Sequence, residues 1–228
     1  MTTSGTYSFS PSLGELTLYS FNLCGIRNTA LLQEHMEAAR MSSNLMLSRW
    51  SNQGVNLWAV DLVTVPLVAG QSTYSVDANT VMILDAYLGI TNSGPEIDRI
   101  IMPISRTEYA SYPNKSQQGF PTTYWFDRLL SPTITLWPVP DGNQVSLTYY
   151  SVYRIQDANM NGTDQVDIPP IWLEAMVYGL AERLAMIWAP DKAPAMKAFA
   201  DEAYSIAAAQ NIETASFYIS PATSGYWR

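Results

Sequence analysis

A single histidine, His35, and a single cysteine, Cys24, bound the side-chain chemistry open to this sequence. One cysteine excludes a disulfide framework within the chain and any zinc site built on cysteines. One histidine likewise excludes a multi-histidine metal centre within one chain. A Ser-His-Asp triad would have to run through His35, which lies one position off the apolar stripe of its helix. The plainer reading is a surface or flanking histidine. Cys24 reads as a small buried apolar residue. Paired carboxylates could hydrolyse a glycosidic bond, yet spacing singles out none of the 20 Asp and Glu residues. No G-x-G-x-x-G, P-loop or G-x-S-x-G motif occurs.

The sharpest local pattern is Asp157-Ala158-Asn159-Met160-Asn161-Gly162-Thr163-Asp164. Asp157, Asn159 and Asn161 alternate before a glycine as in the first half of a calcium loop, and Asp164 could add a ligand. The twelfth position, where an EF-hand needs a bidentate Glu, is Ile168, and a strand precedes the loop in place of a helix. The expectation is an Asx-rich turn without tight calcium, and no cofactor is implied. Tyr124, Trp125, Phe126, Trp137, Tyr149, Tyr150 and Tyr153 could form a stacking platform for sugar or single-stranded nucleic acid. Alternation along a strand puts at most half of them on one face, so core packing is the expected role for most.

Any such residues must be positioned by elements that the hydrophobic period reveals. Pro11-Ser12 opens a helix with Leu13, Leu16, Ser20 and Leu23 on one face, and Gly25 suits its C-terminal cap. A second helix is expected from about Thr29 to Gln53, with Leu32, Met36, Ala39, Ser43, Met46 and Trp50 as its stripe and Gly54 as its stop. From Val55 to Arg154 the period changes to two. Strands are expected at 56–65, 72–76, 81–91, 97–104, 122–128, 133–137 and 144–154. In the third, Met82, Leu84, Ala86, Leu88 and Ile90 should share a side. Pro140-Asp141-Gly142-Asn143 reads as a hairpin turn joining the last two strands. Ser105-Arg106-Thr107-Glu108 reads as a capping box for a short helix ending before Pro113.

The helical period returns after Pro169-Pro170, with Leu173, Val177, Leu180, Leu184 and Ile187 on one stripe. A last helix from about Pro194 to Ile212 carries Met196, Phe199, Ala203 and Ile206. The expected fold class is α+β: a helical bundle made from N- and C-terminal helical hairpins, with an inserted antiparallel β domain of sandwich or barrel type. The implied division is a lead and helical hairpin at 1–54, the β domain at 55–154, the second hairpin at 155–213 and a tail at 214–228. That tail is dense in large apolar groups without helical spacing, among them Phe217, Tyr218, Ile219, Tyr226 and Trp227, and ends in Arg228. Aromatic anchors of this kind suit docking on a partner.

Charge excludes further classes. With 12 Lys and Arg against 20 Asp and Glu, the net charge is −8 and the isoelectric point about 4.5. Such a chain is ill suited to gripping nucleic acid by its phosphates. Residues 1–11 carry no Lys or Arg and no apolar core, so a secretory signal is not expected, nor is contact with a membrane. Two enzyme or binding readings stay open from the residues alone: a cell-wall or polysaccharide hydrolase using paired carboxylates, and a carbohydrate-binding β-module. Ring formation on a partner would argue against both.

Five segments in order carry a resemblance. They are Leu67-Val68-Ala69-Gly70-Gln71-Ser72-Thr73-Tyr74-Ser75-Val76, Pro103-Ile104-Ser105-Arg106-Thr107-Glu108-Tyr109, Gly119-Phe120-Pro121-Thr122-Thr123-Tyr124, Leu136-Trp137-Pro138-Val139-Pro140-Asp141 and Ile168-Pro169-Pro170-Ile171-Trp172-Leu173-Glu174-Ala175. Their order and spacing resemble the head-to-tail adaptor family of short-tailed bacteriophages, the packaged-DNA stabilisation or tail tubular protein A-like proteins, over roughly residues 13–212. The resemblance implies a structural virion protein without catalytic residues. It implies a homo-oligomeric ring, typically a dodecamer, with the portal protein above and a tail nozzle or tail tube protein below. Double-stranded DNA would pass through without sequence-specific binding, and the ring would help retain and eject the genome. The implied location is the head–tail interface of the virion, after assembly in the host cytoplasm. Portal contact through the C-terminal region, here Phe217, Tyr218, Ile219, Tyr226, Trp227 and Arg228, is also implied.

Overall fold

The computed structural model of the chain describes residues 3, 5–55, 57–90, 97–159 and 164–211. Its α-helices are α1 (Leu13–Leu23), α2 (Gln33–Gln53), α3 (Arg106–Ser111), α4 (Leu173–Trp188) and α5 (Ala193–Gln210). The strands are β1 (Val60–Pro66), β2 (Thr73–Ser75), β3 (Thr80–Ile90), β4 (Ile97–Pro103), β5 (Gln118–Gly119), β6 (Thr123–Asp127), β7 (Thr133–Trp137), β8 (Val139–Pro140) and β9 (Gln144–Tyr153). The architecture is α+β, with a curled sheet that is mostly antiparallel.

Local chemistry sets the helix ends. Ser12 Oγ accepts from the Glu15 N–H while the Glu15 carboxylate accepts from the Ser12 N–H, a reciprocal box that stabilises α1 by roughly 1 kcal/mol. Gly25, with φ of +84°, takes the left-handed position just beyond the helix. The second helix begins later than Thr29. Asn28–Ala30 form a 3-10 turn, and Leu31 and Leu32 are extended before α2 starts. Leu32 is therefore outside the stripe and exposed.

Helix α4 packs against α1, α2 and α5. Ser20 Oγ donates to the Val177 carbonyl at 3.0 Å and Cys24 Sγ to the Ala181 carbonyl at 3.4 Å, so α1 and α4 run parallel. Helix α2 runs the other way: Trp50 meets Trp172 at one end and His35 meets Trp188 at the other. Enclosure by three helices makes the buried face of α4 wide, from Ala175 to Ala185, and leaves Ile187 exposed. The stripe expected for α5 is also displaced. Ala200, Ala203 and Ala207 are the buried positions, because small residues let α5 approach α4 closely, while Phe199 and Ile206 lie exposed on its flank.

All seven strands expected from the alternation form one sheet, in the order β1-β9-β3-β4-β6-β7-β2. Its edges, β1 and β2, are joined by residues 67–72. That link reaches at most about 25 Å, whereas a flat seven-stranded sheet is roughly 29 Å across. The sheet must curl. Val63 and Val65 of β1 accordingly pack on the same apolar cluster as Tyr74 of β2. This cluster, with Leu88, Ile101, Ile134, Leu136, Leu147 and Tyr149 fully buried, is separate from the helical one built around Phe21, Met46, Trp172 and Leu180.

Four expectations for this region need correction. First, the turn at 141–143 forms, with Gly142 at φ +100° and Asn143 N–H donating to Asp141 Oδ1, yet β7 and β9 are not partners. The chain crosses from one part of the sheet to another there. Second, the pairing is not wholly antiparallel: β4 meets β6, and β5 meets β8, in parallel. Third, the side shared by Met82 to Ile90 is interrupted. One residue too many in β3 between Ile83 and Ala86 shifts the register against β9, and such a bulge exchanges the two faces. Ile83, Ala86 and Leu88 face the core, while Leu84 is turned outward. Fourth, the first strand starts only at Val60, after a turn at residues 57–59.

Candidate interaction surfaces

The residues with chemical potential are occupied by structure. His35 is not a surface histidine: only 8% of it is exposed. Its ring stacks on Trp188 at 4.6 Å and meets Phe21 edge-on at 5.7 Å. Nδ1 accepts the Leu32 N–H, so the imidazole closes the start of α2 where no Ser, Thr, Asp or Asn stands. Cys24 is buried as expected, and burial pushes its thiol up, against the pull of Lys192 nearby. Such a thiol is a poor nucleophile.

Asp157, Asn159 and Asp164 frame a loop that is tied down at both ends, and Asn161 lies outside the described residues. Asn44 of α2 clamps Ala158 by both backbone groups, at 2.8 and 3.1 Å. Asp167 accepts the Gln156 N–H, and the Asp164 carbonyl accepts the Leu13 N–H. Among the described residues no group of three His, Cys, Asp or Glu is placed to hold a metal ion. The tail residues Phe217, Tyr218, Ile219, Tyr226, Trp227 and Arg228 lie outside the described residues as well.

The aromatic residues divide between the two faces of the sheet, as alternation requires. Tyr124 and Tyr149 point into the core, and desolvation pushes both phenols up to about 12, with smaller contributions from Asp85 for Tyr124 and from Tyr153 and Asp77 for Tyr149. Trp125 and Trp137 face the other way and hold α3. Tyr109 stacks on Trp125 at 5.3 Å, and Tyr112 stacks on Trp137 at 4.0 Å. Trp137 Nε1 donates to the Asn114 carbonyl. Arg106, itself largely in solvent, reaches both the Trp125 ring and the mostly shielded Asp127 carboxylate, the latter at 3.7 Å. These rings are spent on one another, whereas Tyr150 on β9 remains exposed.

The segments behind the family resemblance prove to be fold-bearing. The Tyr74 hydroxyl accepts the Val68 N–H and lies 3.1 Å from the Gln71 carbonyl, which closes the link between the two sheet edges. Gly70, at φ +81°, donates its N–H to the Pro140 carbonyl and so joins the first segment to the fourth. Arg99 lies over the Phe120 ring at 4.4 Å. Trp172, from the fifth segment, is fully buried where α2, α4 and α5 meet.

What remains available for partners is exposed apolar surface. Strand β4 presents Ile97, Ile100 and Met102, each at least 60% exposed. Helix α2 presents Met41 and Leu45 one turn apart. Across β1, β9 and β3, Leu62 stands opposite Tyr150, and the bulge brings Leu84 beside it. The β4 residues were not singled out from the sequence, because an alternating strand does not reveal which of its faces lacks a covering layer. No helix among the described residues is long and apolar enough to cross a membrane.

Comparison with known proteins adds the family. The model of the family described as SU10 adaptor protein matches residues 30–224, most of the chain. No curated protein matches. The matched span runs from the start of α2 across the whole sheet and both C-terminal helices, taking in all five segments whose order resembled phage head-to-tail adaptors. The chain belongs to the SU10 adaptor protein family.

Proposed function

We propose that this protein is a structural component of a phage virion that links the portal to the tail as a ring, without catalytic activity of its own. The family match over residues 30–224 carries the reading. In it, twelve copies form the ring, the portal protein binds above, and a tail nozzle or tail tube protein binds below. Duplex DNA crosses the lumen during packaging and ejection. The net charge of −8 per chain, multiplied around a ring, would repel the phosphates and let DNA slide. The N- and C-terminal helical hairpins act as one bundle from which the domain at 55–154 projects. Exposed apolar strips such as Ile97–Met102 and Met41–Leu45 are the kind of surface that lateral and axial neighbours would cover.

Within this reading the tail at 214–228 docks on the portal through Phe217, Tyr218, Ile219, Tyr226 and Trp227, with Arg228 adding a charge. Deleting residues 214–228 should leave the subunit folded, since the buried set of α5 ends at Ala207. It should weaken attachment to portal-bearing heads. The test is co-sedimentation of full-length and shortened protein with such heads. Equal binding would move the portal contact from the tail to the helices. Failure of both to bind heads, together with degradation of peptidoglycan by the purified chain, would replace the adaptor reading with a hydrolase.

A further inference from the structure

A groove of about 880 Å³ opens where the last helix meets the outer face of the sheet. Leu57, Trp58, Val60, Leu84 and Tyr150 line it, with Asp85, Gln210 and Asn211 as its polar members. Leu84 is there only because the bulge in β3 turns it outward, and Leu62, opposite Tyr150, continues the apolar surface along β1. Three neighbouring strands thus present large apolar groups to an open groove, where an alternating sheet exposed to water would carry polar ones.

The groove also contains the point where α5 ends. Asn211 lines its wall and is anchored there, its side-chain amide donating to the Val55 carbonyl. The sequence continues from that wall with Ile212 and, a few residues on, Phe217, Tyr218 and Ile219. Eight residues of extended chain reach up to about 26 Å, enough to cross the groove and lie over Leu84, Tyr150 and Leu62. A segment tethered beside its site has an effective concentration of the order of millimolar. A second molecule at micromolar concentration competes poorly against it.

The geometry points to the chain's own segment 212–219 as the occupant: in the free subunit, Ile212, Phe217 and Ile219 pack into the groove over Leu84 and Tyr150. This concerns the unassembled protein and stands whether or not the same residues later engage a portal. It gives the tail a defined place in the free subunit and makes any later partner compete for it.

Hydroxyl-radical footprinting of the full chain, read by mass spectrometry, tests this. Two variants are compared with it: a chain ending at Asn211, and the full-length double substitution Phe217→Ser/Ile219→Ser. Oxidation of Trp58 and Tyr150 should rise severalfold in both variants, while the exposed Tyr19 and Met41 stay unchanged as internal references. The double substitution decides the matter if the shortened chain fails to fold. Unchanged oxidation of Trp58 and Tyr150 would overturn the proposal. So would protection that grows with protein concentration, since the occupant would then be a second copy.

Discussion

At the scale of single residues, burial has replaced reactivity. The one imidazole stacks on Trp188, meets Phe21 edge-on and spends a ring nitrogen on the backbone of Leu32. The one thiol donates to a carbonyl of α4. Two core phenols have a consequence that titration can read. Folded Tyr124 and Tyr149 hold their protons until about pH 12 because charge is costly in the apolar interior. The unfolded chain releases them near the ordinary value of 10. The folded state therefore binds more protons between these values. Its stability is whole below about pH 10 and falls as pH rises towards 12, by up to about 1.4 kcal/mol per pH unit for each ring. Denaturant titrations at pH 9 to 12 should show this slope, reduced in Tyr124→Phe and in Tyr149→Phe. Equal slopes in the variants would mean that the two phenols are wet. The loop from Asp157 to Asp164 leads to a separate expectation. Calorimetry should detect no submicromolar calcium binding, since Ile168 stands where the bidentate Glu would be needed. Tight binding lost in Asp157→Ala would reverse that conclusion.

Among elements, α2 and α4 meet tightly at Gly179. Gly179 sits in the middle of α4, where Ala would ordinarily be favoured by about 1 kcal/mol. A Cβ there would stand 2.6 Å from Met46 Sδ, and Met46 is almost fully buried, so its side chain has little room to move. The absent side chain at 179 is what lets α2 seat Met46 on α4. Overpacking of this kind costs roughly 1–3 kcal/mol, so Gly179→Ala should be neutral or destabilising despite its better helix propensity. Met46→Ala alone should cost about 2–5 kcal/mol through the cavity it leaves. In the double variant the new methyl fills part of that cavity. The two changes should then fall short of additivity by about 1 kcal/mol or more. Additive values in a denaturant double-mutant cycle would show that the helices are not in contact at this point.

For the whole molecule, two apolar clusters divide the chain, one shared by four helices and one enclosed by the curled sheet. The features that face outward are apolar strips on β4, on α2 and across β1, β9 and β3. Surfaces of this kind suit a protein whose work is contact, as membership of an adaptor family implies. Assembly should then depend on the partner. Purified protein alone is expected to run as a small species in light scattering, and to form closed rings only, or far more readily, when portal is added. A stable dodecamer in the absence of portal would defeat this order of assembly while leaving the adaptor role intact.

Much of the secondary structure was legible because it follows from neighbours along the chain. Ser12 and Glu15, Gly25, Gly54 and the Ser105 cap mark helix ends through local hydrogen bonds and local φ. The alternation of apolar residues found all seven strands of the main sheet for the same reason. The motifs at 67–76, 103–109, 119–124, 136–141 and 168–175 pointed to the family through residues that hold the fold together. Four things lay beyond local pattern. A turn at 141–143 says nothing about which strands it joins, and here β7 and β9 find other partners. One extra residue in β3 reverses the faces of a strand and sends Leu84 outward, which no periodicity reveals. The buried side of α5 is set by how closely α4 can approach, so alanines are covered and Phe199 and Ile206 are not. His35 is buried because Phe21 and Trp188, far apart in sequence, close on it from two other helices. Local hydrogen bonding and period are encoded residue by residue, whereas pairing, register and the covered face of an element depend on partners that only the folded chain brings together.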